Sequence, residues 1–389
     1  MAGMTPLIIG LNVNGWNVAR ALMRGGAVPT VIDDDPASIF WHSRRLKPIA
    51  VRALYGEPLL EALDALHRSG HGFVLISALE ETIAFLNRSR DRIPSSVKIC
   101  FPAPDVLEML LDKRLFHERA VAMAMPVTPM FFFEPSSWRL VGGRPRFPCI
   151  LKTRRKMYVA GLRKAYLVHD EGELDALLKE IASLDGVRAE DFLLQEWVPG
   201  GDGDVFFCMQ YYGPDGELRA SFTGRKIRQW PPLVGGTSSA EPADAPAVEE
   251  LTTRFFRAVG MRGLCSMEFK KSAADGRFYM IEPTACRADY QEGVAVANGC
   301  NLPLTMYHWE SGVAVRPVSS PARRTAWVNA GDDFQSASSA AGGRLTLAEW
   351  WRALPPHREW AIFCPQDWGP FAELVRRKIA SRFRRLAGR

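Results

Sequence analysis

From residue 5 to residue 100, short apolar runs alternate with stretches of helical periodicity. Residues 6–10, 28–32 and 72–76 are apolar and of strand length, while 14–23 and 59–67 are helical in pattern. That β-α-β order predicts a parallel sheet with helices on its faces. The first turn, Gly10-Leu11-Asn12-Val13-Asn14-Gly15, follows a strand, and Asp33 comes 18 residues after Gly15. This approaches a dinucleotide fingerprint, but Asn12 stands where a second glycine should let backbone reach a pyrophosphate. A tight strand-to-helix turn is the better reading, and an NAD-dependent oxidoreductase is the reading it competes with.

A second pattern opens at Pro102 and Pro104. Residues 106–123 read as one helix, with Asp105 at the cap and Glu108 at the capping-box position. An apolar strand at 147–152 exits at Lys152 into a basic turn, 153–163, carrying Arg154, Arg155, Lys156 and Arg163. Strands are predicted at 164–168, 192–198 and 204–212, a helix at 171–184, a short basic strand at 221–228, and a helix at 247–259. Residues 230–241, rich in Pro, Gly and Ser, read as a loop. Residues 264–271 and 277–282 flank Ala274-Asp275-Gly276, and Asp-Gly is a strong hairpin signal. With a three-residue loop, Ala273 pairs with Arg277 and Glu268 falls opposite Glu282. Two facing carboxylates repel. A divalent cation would offset that; alternatively both point to water. After Arg316 the pattern weakens to a linker at 319–324, a small-residue loop at 336–343 and a helix at 347–354. Trp350, Trp351, Trp360 and Trp368 are expected to pack this extension on the body.

Composition narrows the class. The 389 residues exceed one hydrophobic core, so two or three domains are expected. The net charge is +6, and residues 371–389 hold seven Lys and Arg against one acid, a surplus of six. The rest is near neutral, so charge gives no reason to expect nucleic acid as a partner. Seven scattered cysteines without a Cys-x-x-Cys argue against a disulfide framework or zinc site and suit a reducing cytoplasm. No basic secretory leader and no membrane-spanning run is seen, so a cytoplasmic protein is expected. The basic tail is amphipathic, with Phe371, Leu374, Val375, Lys378, Phe383 and Leu386 near one side. It either lies peripherally on the inner face of a membrane or packs its apolar stripe on the body.

The combination resembles the ATP-grasp superfamily of ligases over residues 105–315, preceded by a Rossmann-like domain. It is most similar to the carboxylate–amine ligase branch that ends in Glu-Pro-Thr-x-x-Arg-x-Asp-Tyr/Trp-Gln-Glu, here Glu282 to Glu292. The resemblance implies an α/β chain with an N-terminal Rossmann-like domain (1–104), then a two-lobed α+β ATP-grasp domain (105–316, small lobe about 126–198). A small C-terminal helical extension (317–389) with the basic tail follows. It implies ATP and Mg²⁺ as cofactors and a small-molecule carboxylate and amine as substrates. Lys152, Lys113 and Lys164 would meet phosphates; Glu196, Trp197 and Val198 would hold adenine; Asp204 would hold the ribose. Glu268, Glu282 and Thr284 would hold the metal, Thr284 replacing the Asn many relatives carry. Arg225 and Lys226 would meet the triphosphate or reacting carboxylate, and Arg287 would stabilise the transferring phosphoryl group. Residues 235–239 could present N–H groups and hydroxyls to substrate. The implied reaction is amide formation through an acyl phosphate, releasing ADP and phosphate. A non-catalytic ATP sensor or scaffold is the alternative.

Overall fold

The structure is a computed structural model that describes residues 3–313 and 324–387. Five of the six residues of the expected 319–324 linker lie outside that range, as do the side chains of the last residues, including Leu386. The first sheet contains β1 (Thr5–Ile9), β2 (Thr30–Asp33), β3 (Ile49–Ala50), β4 (Phe73–Ser77) and β5 (Val97–Lys98). All pairs are parallel, in the order β3-β2-β1-β4-β5. Helices α1 (Val13–Arg24), α2 (Glu57–His67) and α3 (Glu80–Arg88) connect them. Leu7, Ile8, Ile9, Val74 and Leu75 are all buried, because helices on a parallel sheet leave neither face wet. The first turn is structural. Asn12 caps α1 by accepting from the N–H groups of Asn14 and Gly15, and a Cβ at Gly15 would sit 1.9 Å from the Gly10 carbonyl oxygen.

The stretch expected as one helix is two, α4 (Pro104–Leu111) and α5 (Lys113–Ala122). Asp105 is not the cap; Ala103 precedes Pro104 at the start of α4. The break is at Asp112, which is extended and accepts from the N–H groups of Arg114 and Leu115. Its fully buried carboxylate also pairs with Arg154 (2.7 Å) and Arg155 (3.0 Å). Arg155 reaches Glu108 as well, at 2.6 Å. The basic turn therefore spends two of its three arginines, Arg154 and Arg155, on the α4–α5 junction. Asp112→Ala removes a cap and two charge-assisted pairs together. It should lower stability by about 2–3 kcal/mol, read as a fall in the denaturant midpoint at unchanged m-value.

The second sheet holds β6 (Met130–Phe133), β7 (Leu140–Val141), β8 (Cys149–Thr153), β9 (Ala165–Val168) and β10 (Phe192–Glu196), in the order β7-β6-β10-β8-β9. Helix α6 (Glu171–Ala182) packs Leu174, Leu178 and Ile181 against it. The third sheet is largest: β11 (Val205–Tyr212), β12 (Leu218–Trp230), β13 (Gly236–Pro242), β14 (Gly263–Lys271), β15 (Phe278–Ala285), β16 (Ala326–Val328) and β17 (Arg358–Trp360), ordered β15-β14-β11-β12-β13-β16-β17. Helices α7 (Pro246–Ala258), α8 (Glu292–Ala297) and α9 (Leu302–Glu310) cover it.

Strand β13 corrects the loop expected at 230–241. Its small polar residues are satisfied inside: Ser238 and Ser239 donate to the buried Asp333 carboxylate. The C-terminal segment brings two strands to this sheet beside its helices α10 (Ala330–Ser338), α11 (Leu347–Ala353) and α12 (Gly369–Ala387). The small-residue stretch at 336–343 starts as the end of α10. Trp350 is buried and donates to Asp333, but Trp351 and Trp368 are exposed. The segment is tied to α1 instead: Trp16 donates to the Ile362 carbonyl, and Arg20 pairs with Glu359 at 2.6 Å. All seven cysteines are buried and unpaired.

Candidate active site

Hairpin β14–β15 carries both acids. Glu268 and Glu282 face each other, as the sequence count gives, but by another route. Lys271 pairs with Phe278, and the turn closes through Ser272 N–H to the Arg277 carbonyl, with Gly276 at φ +71°. That pairing is one residue off the predicted register. A bulge then skips Ile281 and restores the opposition at Glu268 and Glu282.

The acids do not point to open water. Lys226 lies 2.8 Å from Glu268; Lys164 and Lys113 lie 3.3 Å and 3.8 Å from Glu282. Lysines offset the repulsion in this structure. Each comes from a different element: Lys113 opens α5, Lys164 immediately precedes β9, and Lys226 lies within β12. Burial would push Glu282 up, but Lys164, Lys113, Lys152 and Lys226 hold its carboxyl well below the usual range. Lys152, buried on β8, is lowered to about 8 by burial; Glu282 opposes the shift, and Lys113 and Lys164 add to it.

These groups line a cleft of about 600 Å³ between the second and third sheets, open to the end of the first sheet. Lys113, Lys152, Lys164, Glu196, Trp197, Val198, Glu268, Glu282, Thr284 and Arg287 all border it. Lys226 reaches the same cluster through Glu268 and donates to Gln229 at 3.1 Å. Arg225 is not brought to it. Neighbouring strand residues face opposite ways, and Arg225 pairs with Glu241 at 2.6 Å instead. Arg225→Ala should therefore leave the rate of any ATP-dependent turnover within about threefold, whereas Lys226→Ala should lower it on the order of 10²-fold in the same assay.

Other expected roles meet competing partners. The Glu196 carboxylate accepts from the exposed Arg146 at 3.4 Å, and Trp197 N–H donates to the Pro148 carbonyl, which leaves the Trp197 carbonyl rather than its N–H for a base edge. Val198 N–H has no hydrogen bond among the described residues. Asp204 accepts from Gly201 N–H, closing its own turn, and does not border the cleft. Thr284 faces Arg287, whose guanidinium is 3.4 Å from its hydroxyl.

Arg287 sits where the chain leaves β15 and bridges to Ser77 at the end of β4. Asn14 locks this crossing by donating to the Ala288 carbonyl at 2.7 Å. Glu80, 4.0 Å from Arg287, joins the cleft wall with Asn12 and Asn14. Sequence reading missed Glu80 because only the packing of the first sheet on the third brings it there.

Mg²⁺ binds through one or two carboxylates and completes its shell with phosphate oxygens and water. The two opposed acids, Glu268 and Glu282, are the donor set that mode asks of the protein.

No protein-family model matches the chain, and no curated protein matches it in sequence. Solved structures do match it. Biotin carboxylase from Campylobacter jejuni, in a β-γ-ATP complex, superposes with TM-score 0.60 at 15% identity, covering 82% of this chain and 74% of that one. N5-carboxyaminoimidazole synthetase from Staphylococcus aureus, complexed with ADP, gives 0.62 at 14% identity, covering 82% and 80%. An L-amino acid ligase from Bacillus licheniformis gives 0.57 at 13% identity, covering 79% and 74%. At such identities the likeness is one of fold. The chain has the ATP-grasp fold, a Rossmann-like N-terminal sheet followed by a two-lobed α+β unit, with its cleft between the lobes.

Proposed function

We propose that this chain is an ATP- and Mg²⁺-dependent carbon–nitrogen ligase that joins a small-molecule carboxylate to an amine. The observation that carries this reading is the cluster of Lys113, Lys152, Lys164 and Lys226 around the opposed Glu268 and Glu282, in the interlobe cleft of an ATP-grasp fold.

The cluster is suited to an ion exchange. Without nucleotide, ammonium groups neutralise the two acids. Phosphate oxygens would draw the lysines off and free both carboxylates for Mg²⁺. The metal, when bound, would neutralise charge on the transferring phosphoryl group. Val198 N–H would meet the adenine edge, and Lys152, Lys113 and Lys164 would hold the phosphates. The substrate carboxylate oxygen attacks the γ-phosphorus as the bond to the ADP oxygen breaks, and Arg287 stabilises the negative charge. The amine nitrogen then attacks the acyl carbon, loses a proton, and the acyl–phosphate C–O bond breaks. Glu80, beside Arg287, would bind the incoming ammonium and take the proton it must lose before its nitrogen can attack.

A panel of amino acids and small acids, taken pairwise and scanned for Mg²⁺-dependent ADP release, tests this. Release that requires both an acid and an amine supports it. Tight ATP binding without ADP across the panel would favour the sensor or scaffold reading.

A further inference from the structure

The second chemical feature of the molecule lies away from the cleft, on α12. This helix packs on the short turn at Ile39–His42. The face turned inward carries Glu373, which is buried and pairs with Arg376 and Arg377 at 2.6 Å. The outward face is apolar. Phe371, Val375, Ile379 and Phe383, four apart on successive turns, are 39%, 38%, 52% and 68% exposed. The sequence stripe that included Leu374 is therefore divided, with Leu374 half-buried and Phe371, Val375 and Phe383 facing out with Ile379.

Cations flank that outward stripe. Arg376, Lys378, Arg382 and Arg384 are exposed, and among the described residues Arg382 and Arg384 have no ion pair. Trp368 precedes the helix, 53% exposed, with the Arg44 guanidinium 5.6 Å from its ring centroid. Arg45 and Lys47, a few residues past the turn at Ile39–His42, are exposed as well. The surplus of six positive charges in residues 371–389 equals the net charge of the whole chain.

We propose that the outward face of α12, with Trp368 and Arg44, lies on an anionic lipid surface. An outward apolar stripe on a surface helix, bordered by arginine and led by a tryptophan, fits the boundary between headgroups and acyl chains. Charge decides the occupant. A second copy pairing stripe to stripe would bring two arginine rows together, whereas an anionic bilayer takes the apolar residues and the cations at once. This inference is independent of the proposed ligase reaction.

Sedimentation of the full chain with phosphatidylcholine vesicles, with and without a minority of phosphatidylserine, tests it. Binding should be at least about tenfold stronger to the anionic vesicles and should fall with added salt. Arg382→Gln with Arg384→Gln should reduce partitioning about 30-fold, from ~1 kcal/mol per basic residue. Ile379→Ser with Phe383→Ser should reduce it at least as much. Both variants should unfold at the wild-type temperature, since their side chains are exposed. Should the apolar variant fail to fold, the charge variant decides by itself. Equal partitioning to both vesicle types, or none at low salt, would overturn the proposal. So would a wild-type dimer that the apolar variant dissolves.

Discussion

Glu282→Gln should lower ADP release by on the order of 10³-fold, with the protein still folded. The change keeps the shape of the side chain and removes its charge. Glu282 faces Glu268, and Lys113 and Lys164 approach it from two other elements. With a neutral amide there, one of the two carboxylates proposed for Mg²⁺ is gone. The lysines would still bind phosphate, so ATP affinity without metal should hold or tighten while Mg²⁺-dependent turnover collapses. That split separates loss of the metal from loss of the nucleotide. Full turnover by the variant would remove the hairpin from the reaction.

Lys152→Met should weaken ATP binding by on the order of 10²-fold at pH 7, the worth of a buried charge-assisted contact to phosphate. Its pH signature is distinctive. Folding lowers Lys152 from its ordinary 10.5 to about 8. The folded chain thus binds fewer protons there than the unfolded chain between those values, and stability rises with pH across that window. At 1.36 kcal/mol per pH unit the gain is about 3 kcal/mol, and the cost of burying the charge is complete below pH 8. Lys152→Met should lack that rise, seen as a flatter stability profile between pH 7.5 and 10.5 than the wild type shows. Phosphate favours the charged amine, so ATP binding above pH 8 should take up a proton. Calorimetry in two buffers of different ionisation enthalpy should find that uptake in wild type and miss it in the variant.

Local signals carried much of this structure. Apolar runs placed β1 and β4, whose buried faces are almost wholly apolar, and located β2 two residues early, since Val28 is exposed and the strand is Thr30–Asp33. Asp-Gly placed the hairpin, and counting outward from a three-residue loop put Glu268 opposite Glu282 although the turn and the bulge each shift the register by one. What could not be read is what distant partners decide. Asp112 breaks a helix-patterned stretch because Arg154 and Arg155 arrive from another lobe. Residues 236–242 have loop composition, yet Asp333 satisfies their hydroxyls and lets them pair as a strand. Arg225 and Lys226 are adjacent cations in sequence, and strand alternation sends one to Glu241 and the other to Glu268. Glu196 has the residue type expected of an adenine contact, and its pairing with Arg146 was not legible in the spacing. Propensity and spacing locate a side chain on its own element; they do not say which partner from another element competes for it.

The most direct test of the proposed reaction follows one oxygen atom. With the acid and amine found by the substrate screen, the acid is supplied with both carboxylate oxygens as ¹⁸O, and the released phosphate is analysed by mass spectrometry. Attack of that carboxylate on the γ-phosphorus, followed by amine displacement at the acyl carbon, carries one ¹⁸O into each phosphate formed with product. Phosphate free of label, released in step with amide, would contradict the acyl-phosphate route and with it the role assigned to this cleft.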